Sequence, residues 1–145
     1  MKIKEKQQRL TNSMEKMLIK MNEVTNVCLI SNEGLDKRDL SIICFIAKNG
    51  EVIMREIADF LSIPVSTLTS IIDKLVQKKY LYRFNPSDDR RIVKVKLTDS
   101  GVTSYKEFKS YKEKLSVMML SVLPEKEQDH LVELLEKISN QTFNL

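Results

Sequence analysis

The sequence contains no tryptophan, only three glycines, three prolines and two cysteines among its 145 residues. The scarcity of glycine and proline leaves few residues for tight turns, which disfavours a multi-stranded barrel. Cys28 and Cys44 do not form a CxxC pair. Two cysteines are also too few for the disulfide framework of a small secreted domain. The cysteine content therefore indicates a reducing compartment.

Long hydrophobic runs are also absent. The longest uninterrupted apolar segment extends only from Ile42 to Ala47, whereas a membrane-spanning helix needs about 18 to 20 apolar residues. The N-terminus, MKIKEKQQRL, carries charged and polar residues where a secretory signal would have an apolar stretch. We therefore expect no membrane partner and a cytoplasmic location.

Positive charge is concentrated in the middle of the chain. The protein has 24 lysines and arginines against 20 acidic residues, a net charge of +4. The segment from Lys74 to Lys96 has eight basic and two acidic residues, so it alone carries +6. A concentrated basic segment attracts a polyanion such as nucleic acid. A solvated charged surface is the alternative that charge alone leaves open.

Helical periodicity dominates both ends of the chain. Apolar residues from Leu10 to Cys28 recur at alternating spacings of four and three, which predicts a long first helix over about residues 5–30. Asp36 is the predicted N-cap of a second, buried helix. Thr98 is the predicted N-cap of another long helix, and Pro124 suits the first position of the last one. The apolar sides of these helices exceed what one small core can bury, which predicts a homodimer.

The middle of the chain predicts a helix, a turn, a second helix and a hairpin. MREIADFL has helical spacing, and the following SIP ends that helix because proline keeps the preceding residue out of the helical region. A helix from Val65 to about residue 79 follows, with an apolar inner side and a small, polar outer side. Residues 80–84 and 92–97 then alternate as two strands around the turn NPSDDRR.

These elements, in this order, resemble the winged helix-turn-helix of the multiple antibiotic resistance regulator (MarR) family. The specific part of the resemblance is the wing, where Asp89, Arg91, Leu97, Thr98 and Gly101 stand at the spacing of the family pattern. The resemblance implies a mostly α fold with a small β-wing and long N- and C-terminal dimerisation helices. It implies a single domain over 1–145, with a DNA-binding unit at 34–99 and dimerisation helices at 1–33 and 100–145.

The resemblance also implies a DNA-binding site. Arg91 would enter the minor groove at the wing tip, and Asp89 would hold the wing loop in shape by pairing with a neighbouring arginine. The remaining contacts would be to the major groove from Ser66, Thr67, Thr69 and Ser70, and to phosphates from Lys74, Arg90, Lys94 and Lys96.

Two positions depart from the family pattern. Position 70, often arginine in the family, is serine here, which puts a strong guanine contact from that position in doubt. Position 79, usually glycine, is lysine here. The turn into the first wing strand is therefore predicted to need a non-glycine residue in a strained conformation.

The implied function is that of a homodimeric transcriptional regulator, most often a repressor, that binds an inverted-repeat operator in double-stranded DNA. A small aromatic ligand could release the DNA from a pocket lined by Tyr105, Phe108, Tyr111 and methionines. Two alternatives stay open. One is a repressor of the same fold switched by oxidation of Cys28 or Cys44, and the other is a winged helix adaptor that binds an acidic protein and reads no DNA.

The sequence offers little for catalysis or for metals. It has a single histidine, His130, no glycine-rich phosphate loop and no GxSxG segment. We therefore expect no enzymatic activity, no cofactor and no metal site.

Overall fold

The computed structural model describes residues 1–32, 34–86 and 90–142. Helices and three short strands follow one another in this order: α1 (Ile3–Ser31), α2 (Lys37–Asn49), β1 (Val52–Ile53), α3 (Met54–Leu61), α4 (Val65–Gln77), β2 (Leu81–Phe84), β3 (Lys94–Leu97), α5 (Asp99–Ser121) and α6 (Glu125–Ser139). The chain divides into two compact units, Met1–Tyr111 and Lys112–Leu145, so α5 belongs to both. The single domain over 1–145 stays a prediction.

The predicted first helix is confirmed and begins two residues earlier than predicted, the predicted start of α2 is confirmed, and the start of α6 is shifted by one residue. Asp36 is the N-cap of α2, where its carboxylate accepts a hydrogen bond from the Asp39 N–H and the Asp39 carboxylate accepts one from the Asp36 N–H. This reciprocal capping box satisfies two of the amides left open at a helix start. Pro124 is the N-cap of α6 rather than its first helical residue.

The predicted hairpin is present, and β1 extends it to a three-stranded antiparallel sheet in the order β1-β3-β2. In β2 and β3, Leu81 pairs with Leu97 and Arg83 pairs with Val95. In β1, Val52 pairs with Val95 from the other side. The sequence does not show which strand Val52 and Ile53 pair with, because two residues are too short to show a strand pattern.

The core of the first unit lies between α2, α3, α4 and the sheet. It consists of apolar side chains that are almost completely buried, among them Leu40, Ile42, Ile43, Ile46, Ile57, Leu68, Ile72, Leu75, Leu81 and Val95. In α4 the buried residues recur at spacings of four and three, so one side of this helix lies in the core and the other faces solvent. Leu68, Ile72 and Leu75 are therefore buried on the inner side of α4, as predicted.

The end of α4 confirms the prediction of a strained non-glycine residue. Lys79 has a φ of 65°, in the left-handed region. Its N–H donates to the Val76 carbonyl and the Tyr80 N–H donates to the Leu75 carbonyl. This pair of bonds is the Schellman motif, whose left-handed position usually holds glycine. The lysine at this position therefore adopts a conformation that costs a side-chain-bearing residue about 1–2 kcal/mol.

The first turn of α5 packs tightly against the segment that follows α4. Thr98 caps α5 as predicted, since its hydroxyl oxygen accepts a hydrogen bond from the Gly101 N–H at 3.2 Å. Gly101 is buried, and a Cβ at this position would overlap the Tyr80 carbonyl oxygen and lie 3.2 Å from Leu97 Cδ2. Only glycine therefore lets α5 start this close to the base of the sheet.

The second unit, Lys112–Leu145, contains the last part of α5 and α6. In the part of it that the structure describes, no apolar side chain of α6 is fully buried. Its exposed apolar residues are Val117, Met118, Val122, Val132, Leu134, Leu135 and Ile138. No helix among the described residues is long and apolar enough to cross a membrane.

We predict that Gly101→Ala destabilises the protein. The added methyl group meets backbone rather than a flexible side chain, so the expected loss in free energy of unfolding is about 1–3 kcal/mol. Urea denaturation followed by circular dichroism measures this loss. Ser100→Ala, at the exposed neighbouring position of the same turn, is the control. Equal stability of the two variants would contradict the close packing at Gly101.

Candidate nucleic-acid interface

The outer side of α4 carries four exposed hydroxyl groups, those of Ser66, Thr67, Thr69 and Ser70. Thr69 Oγ1 donates to the Val65 carbonyl at 2.9 Å and Ser70 Oγ donates to the Thr67 carbonyl at 3.0 Å. Each of these two hydroxyl oxygens keeps lone pairs to accept a further hydrogen bond. Small side chains of this kind allow a helix to approach base edges in a major groove.

An ion pair joins the outer side of α4 to the wing. Arg83 Nη1 of β2 lies 2.6 Å from Asp73 Oδ1 of α4, and Arg83 Nη2 donates to the Thr69 carbonyl at 3.4 Å. The guanidinium therefore bridges two positions of α4 from the neighbouring strand. The sequence does not predict this contact, because Asp73 and Arg83 belong to different elements.

Lys74 is expected to contact a phosphate, but in the structure it lies beside two carboxylates. Its ammonium lies 2.5 Å from Asp39 Oδ2 and 3.4 Å from Asp36 Oδ2 at the start of α2. Asp39 is completely buried, and its other oxygen, Oδ1, has no hydrogen-bond partner in the described structure. Removing one partner of such a buried pair leaves an uncompensated charge. Lys74 thus holds α4 against α2, and a phosphate would have to compete with two carboxylates for it.

Lys94 and Lys96 also have intramolecular partners. Their ammonium groups lie 3.6 Å and 3.7 Å from the two carboxylate oxygens of Glu51. Lys96 Nζ is also 5.0 Å and 5.3 Å from the ring centres of Tyr82 and Phe84. These groups lie on one face of the sheet, where Lys96 pairs with Tyr82 and Lys94 with Phe84. Nothing in the sequence pattern had singled out Glu51.

The wing tip is described in part. Arg90 and Arg91 are both exposed. Asn85 Nδ2 donates to the Ile92 carbonyl at 2.8 Å and to the Arg90 carbonyl at 3.4 Å, which closes the described part of the loop. Asp89, expected to stabilise the wing, lies outside the described residues. Its role stays a prediction.

A cavity of about 570 Å³ lies between the end of α2, β3 and the first turns of α5. Its lining includes Ile46, Leu97, Val102 and Tyr105, together with three lysines, Lys96, Lys106 and Lys109. Of the three aromatic residues expected in a ligand pocket, only Tyr105 lines this cavity, whereas Phe108 is buried in the core. The three lysines were not anticipated, because their convergence depends on how α5 meets the sheet.

The two cysteines differ in exposure, since Cys28 is buried and Cys44 is partly buried. Burial raises the pKa of Cys28, the Glu107 carboxylate and Cys44 raise it further, and a hydrogen bond from Asn32 lowers it in part. A buried thiol with a raised pKa has little reactive thiolate at neutral pH. These features do not support Cys28 as an oxidant sensor.

His130 lies on the exposed surface of α6, with Nδ1 at 4.0 Å from Glu133 Oε2. Among the described residues, no group of three potential metal ligands is close enough together to hold an ion. In the described part of the chain, His130 therefore contacts Glu133 and has no set of neighbouring ligands that could hold a metal ion.

The ion pairs around Asp36 predict a dependence of stability on pH. Partial burial by itself raises the pKa of Asp36, but the hydrogen bond from the Asp39 N–H and the charge of Lys74 outweigh it, so the pKa lies below its ordinary value. The ionised carboxylate therefore stabilises the fold above about pH 4, and this contribution is lost as the pH falls through the lower folded-state pKa.

We predict that Asp36→Asn reduces this acid sensitivity. Asparagine keeps an oxygen that can cap α2 but does not titrate. The Tm of the wild-type protein should therefore fall more than that of the variant between about pH 6 and pH 3. Differential scanning fluorimetry over that range measures both profiles. Parallel profiles would show that Asp36 does not contribute.

Comparisons with known proteins agree with this arrangement. Residues 35–93 match the sequence model of the MarR family. The HTH-type transcriptional repressor MdtR of Bacillus subtilis is 28% identical over 98 residues, which cover 68% of this chain and 63% of MdtR. The structure of wild-type MarR from E. coli, in its apo form, is 25% identical with a TM-score of 0.67, covering 89% of this chain and 96% of that one. The structure of Streptococcus pneumoniae FabT in complex with DNA is 20% identical with a TM-score of 0.75 and covers 95% of each chain.

Proposed function

Since the chain belongs to the MarR family of transcriptional regulators, we propose that it is a homodimeric repressor that binds a near-palindromic operator. The observation that carries this proposal is the exposed hydroxyl face of α4 beside a basic wing. In a winged helix-turn-helix, the second helix enters the major groove and reads base edges there. The similarity to MdtR, a transcriptional repressor, and to FabT, whose structure contains DNA, supports this proposal.

In this proposal, Ser66, Thr67, Thr69 and Ser70 face the major groove, and Arg91 enters the minor groove next to it. Arg90 contacts the phosphate backbone. Lys94 and Lys96 reach phosphate only by leaving Glu51, and Lys74 only by leaving Asp36 and Asp39. Because each contact to phosphate releases counterions, binding should weaken steeply as salt is added.

Exposed apolar side chains support a homodimer. On α1 they include Leu10, Met14, Met17, Leu18, Ile19 and Met21, each more than a third exposed. The second unit exposes its own set on α5 and α6. Large apolar patches on a soluble protein mark interaction surfaces. A symmetric dimer would bury them and present two α4 helices about 34 Å apart, one turn of DNA.

We predict that Arg91→Ala and Arg90→Ala weaken DNA binding in different ways. Loss of a minor-groove contact should cost about 1–3 kcal/mol and relax the preference for narrow A·T-rich minor grooves. Loss of a phosphate contact should weaken binding to all sequences alike. Genomic fragments selected with the wild-type protein, and random fragments of equal length, provide the two ligands for gel-shift titrations at several salt concentrations.

The same assay separates the regulator from the adaptor alternative. If the wild-type protein retained no genomic fragment even at low salt, the repressor proposal would be wrong and a protein-binding adaptor would be favoured. If it retained DNA but both arginine variants bound as tightly as wild type, the wing would have no part in binding.

We also propose that an aromatic ligand binds in the cavity beside Tyr105 and releases the DNA. The apolar walls suit an aromatic ring, and the lysines that line the cavity suit a phenolate or carboxylate. Val102 lines the cavity, whereas Thr103 beside it does not.

We predict that Val102→Trp fills the cavity and abolishes release by a hydroxybenzoate, while DNA binding itself persists. Thr103→Trp, which adds the same side chain outside the cavity, should still respond. Gel-shift titration with increasing hydroxybenzoate measures both. Release that is unchanged by Val102→Trp would place the effector elsewhere.

A further inference from the structure

A second, smaller groove of about 340 Å³ lies where α3, α4 and the wing meet. Three segments distant in sequence form its walls: the junction of β1 and α3, the first residue of α4, and the stretch that leads into β3. Its lining includes Ile53, Met54, Arg55, Val65, Arg91 and Ile92. The groove thus joins the start of α4 to the wing, and it contains two guanidinium groups among apolar walls.

Arg55 differs from the cations that lie within α4, β2 and β3. It is exposed in the first turn of α3 and forms no hydrogen bond or ion pair in the part of the chain that the structure describes. By contrast, the side chains of Lys74, Arg83, Lys94 and Lys96 each lie within 4 Å of a carboxylate. Arg55 therefore keeps all five of its N–H donors for a ligand.

The acidic residues of α3 do not neutralise Arg55. The Glu56 carboxylate accepts a hydrogen bond from the Ile53 N–H at 2.8 Å and so caps the start of the helix. Asp59, one turn further along the same helix, forms no ion pair with Arg55 in the described structure. Arg55 consequently presents its positive charge to solvent at the edge of the groove.

We propose that Arg55 contacts a DNA backbone phosphate that lies in this groove between α3 and the wing. The proposal rests on the DNA-binding function proposed above. A guanidinium fork matches two phosphate oxygens, and it does so better than a lysine ammonium. The apolar walls exclude water beside the contact, which strengthens the attraction between charges. Arg91 lines the same groove, so the backbone held by Arg55 would lie directly beside the wing residue that is assigned to the minor groove.

The proposed contact has a consequence for register. Arg55 belongs to α3 and Arg91 to the wing, so a phosphate held by Arg55 fixes the position of the duplex relative to both α4 and the wing tip. Phosphate contacts set the orientation of a protein on DNA without reading sequence. Arg55 therefore contributes to affinity and fixes the position of the protein on the DNA, whereas the hydroxyl groups of α4 recognise the base sequence.

Salt-dependent DNA binding by Arg55→Gln tests the proposal. We expect the slope of log K against log salt to become less steep by about two, because the homodimer loses one phosphate contact in each half-site. Binding to selected and random fragments should weaken by the same factor, several-fold or more at about 0.15 M salt. Arg55→Lys should keep the wild-type slope, because it keeps the charge. Arg9→Gln, which removes an exposed arginine of α1 outside the groove, is the control.

A second measurement locates the phosphate. Single methylphosphonate substitutions along the selected duplex remove one backbone charge at a time. At one position in each half-site, the substitution should weaken wild-type binding but leave Arg55→Gln binding unchanged, because the two changes remove the same contact.

The outcomes separate this proposal from the one on which it rests. If the wild-type protein bound DNA but Arg55→Gln had the same salt slope, only the role of Arg55 would be wrong. The same conclusion would follow if no methylphosphonate position weakened wild-type binding while leaving Arg55→Gln binding unchanged. A wild-type protein that binds no DNA would overturn the repressor proposal, and the contact of Arg55 with it. Thermal melting of Arg55→Gln should match wild type, since the replaced side chain is exposed and has no partner to lose in the described structure.

Discussion

The rest of the structure depends on how α4 is held. Its inner side is buried through Leu68, Ile72 and Leu75, which fixes the rotation of the helix about its own axis. Ion pairs then attach it to α2 through Lys74 and to β2 through Asp73. Apolar burial supplies most of the stability of this packing, and the ion pairs fix the orientation of α4 relative to α2 and β2. The outcome is a helix whose small polar side faces solvent in a defined orientation relative to the wing.

The basic residues of α3, α4 and the sheet differ in their partners, which a count of charges does not show. Lys74, Arg83, Lys94 and Lys96 pair with carboxylates of the same molecule. Arg55, in contrast, has no such partner in the described chain. A cation that already has a partner gains less from DNA, because the phosphate must replace an existing carboxylate. The number of phosphate contacts should therefore be smaller than the number of lysines and arginines suggests.

Several features were predictable because they depend on residues close together in sequence. The alternating spacing of apolar residues indicated α1, Asp36 and Thr98 marked helix starts, and the sides of α4 followed from its period. The non-glycine at position 79 predicted a left-handed lysine, which the structure confirms at a φ of 65°. The pairing of β1 with β3, the Glu51 contacts and the burial of Asp39 were not predictable, because each joins segments separated by many residues.

The sequence by itself determined the order of elements, the two sides of α4 and the concentration of positive charge, since helix period, capping and turn chemistry act over a few neighbouring residues. The tertiary structure alone decided which carboxylate each cation meets. It brought Arg55 and Arg91 to one groove and placed three lysines beside Tyr105 in another. The physical reason is that electrostatic contacts act over distances in space, and only the packing of the core sets those distances.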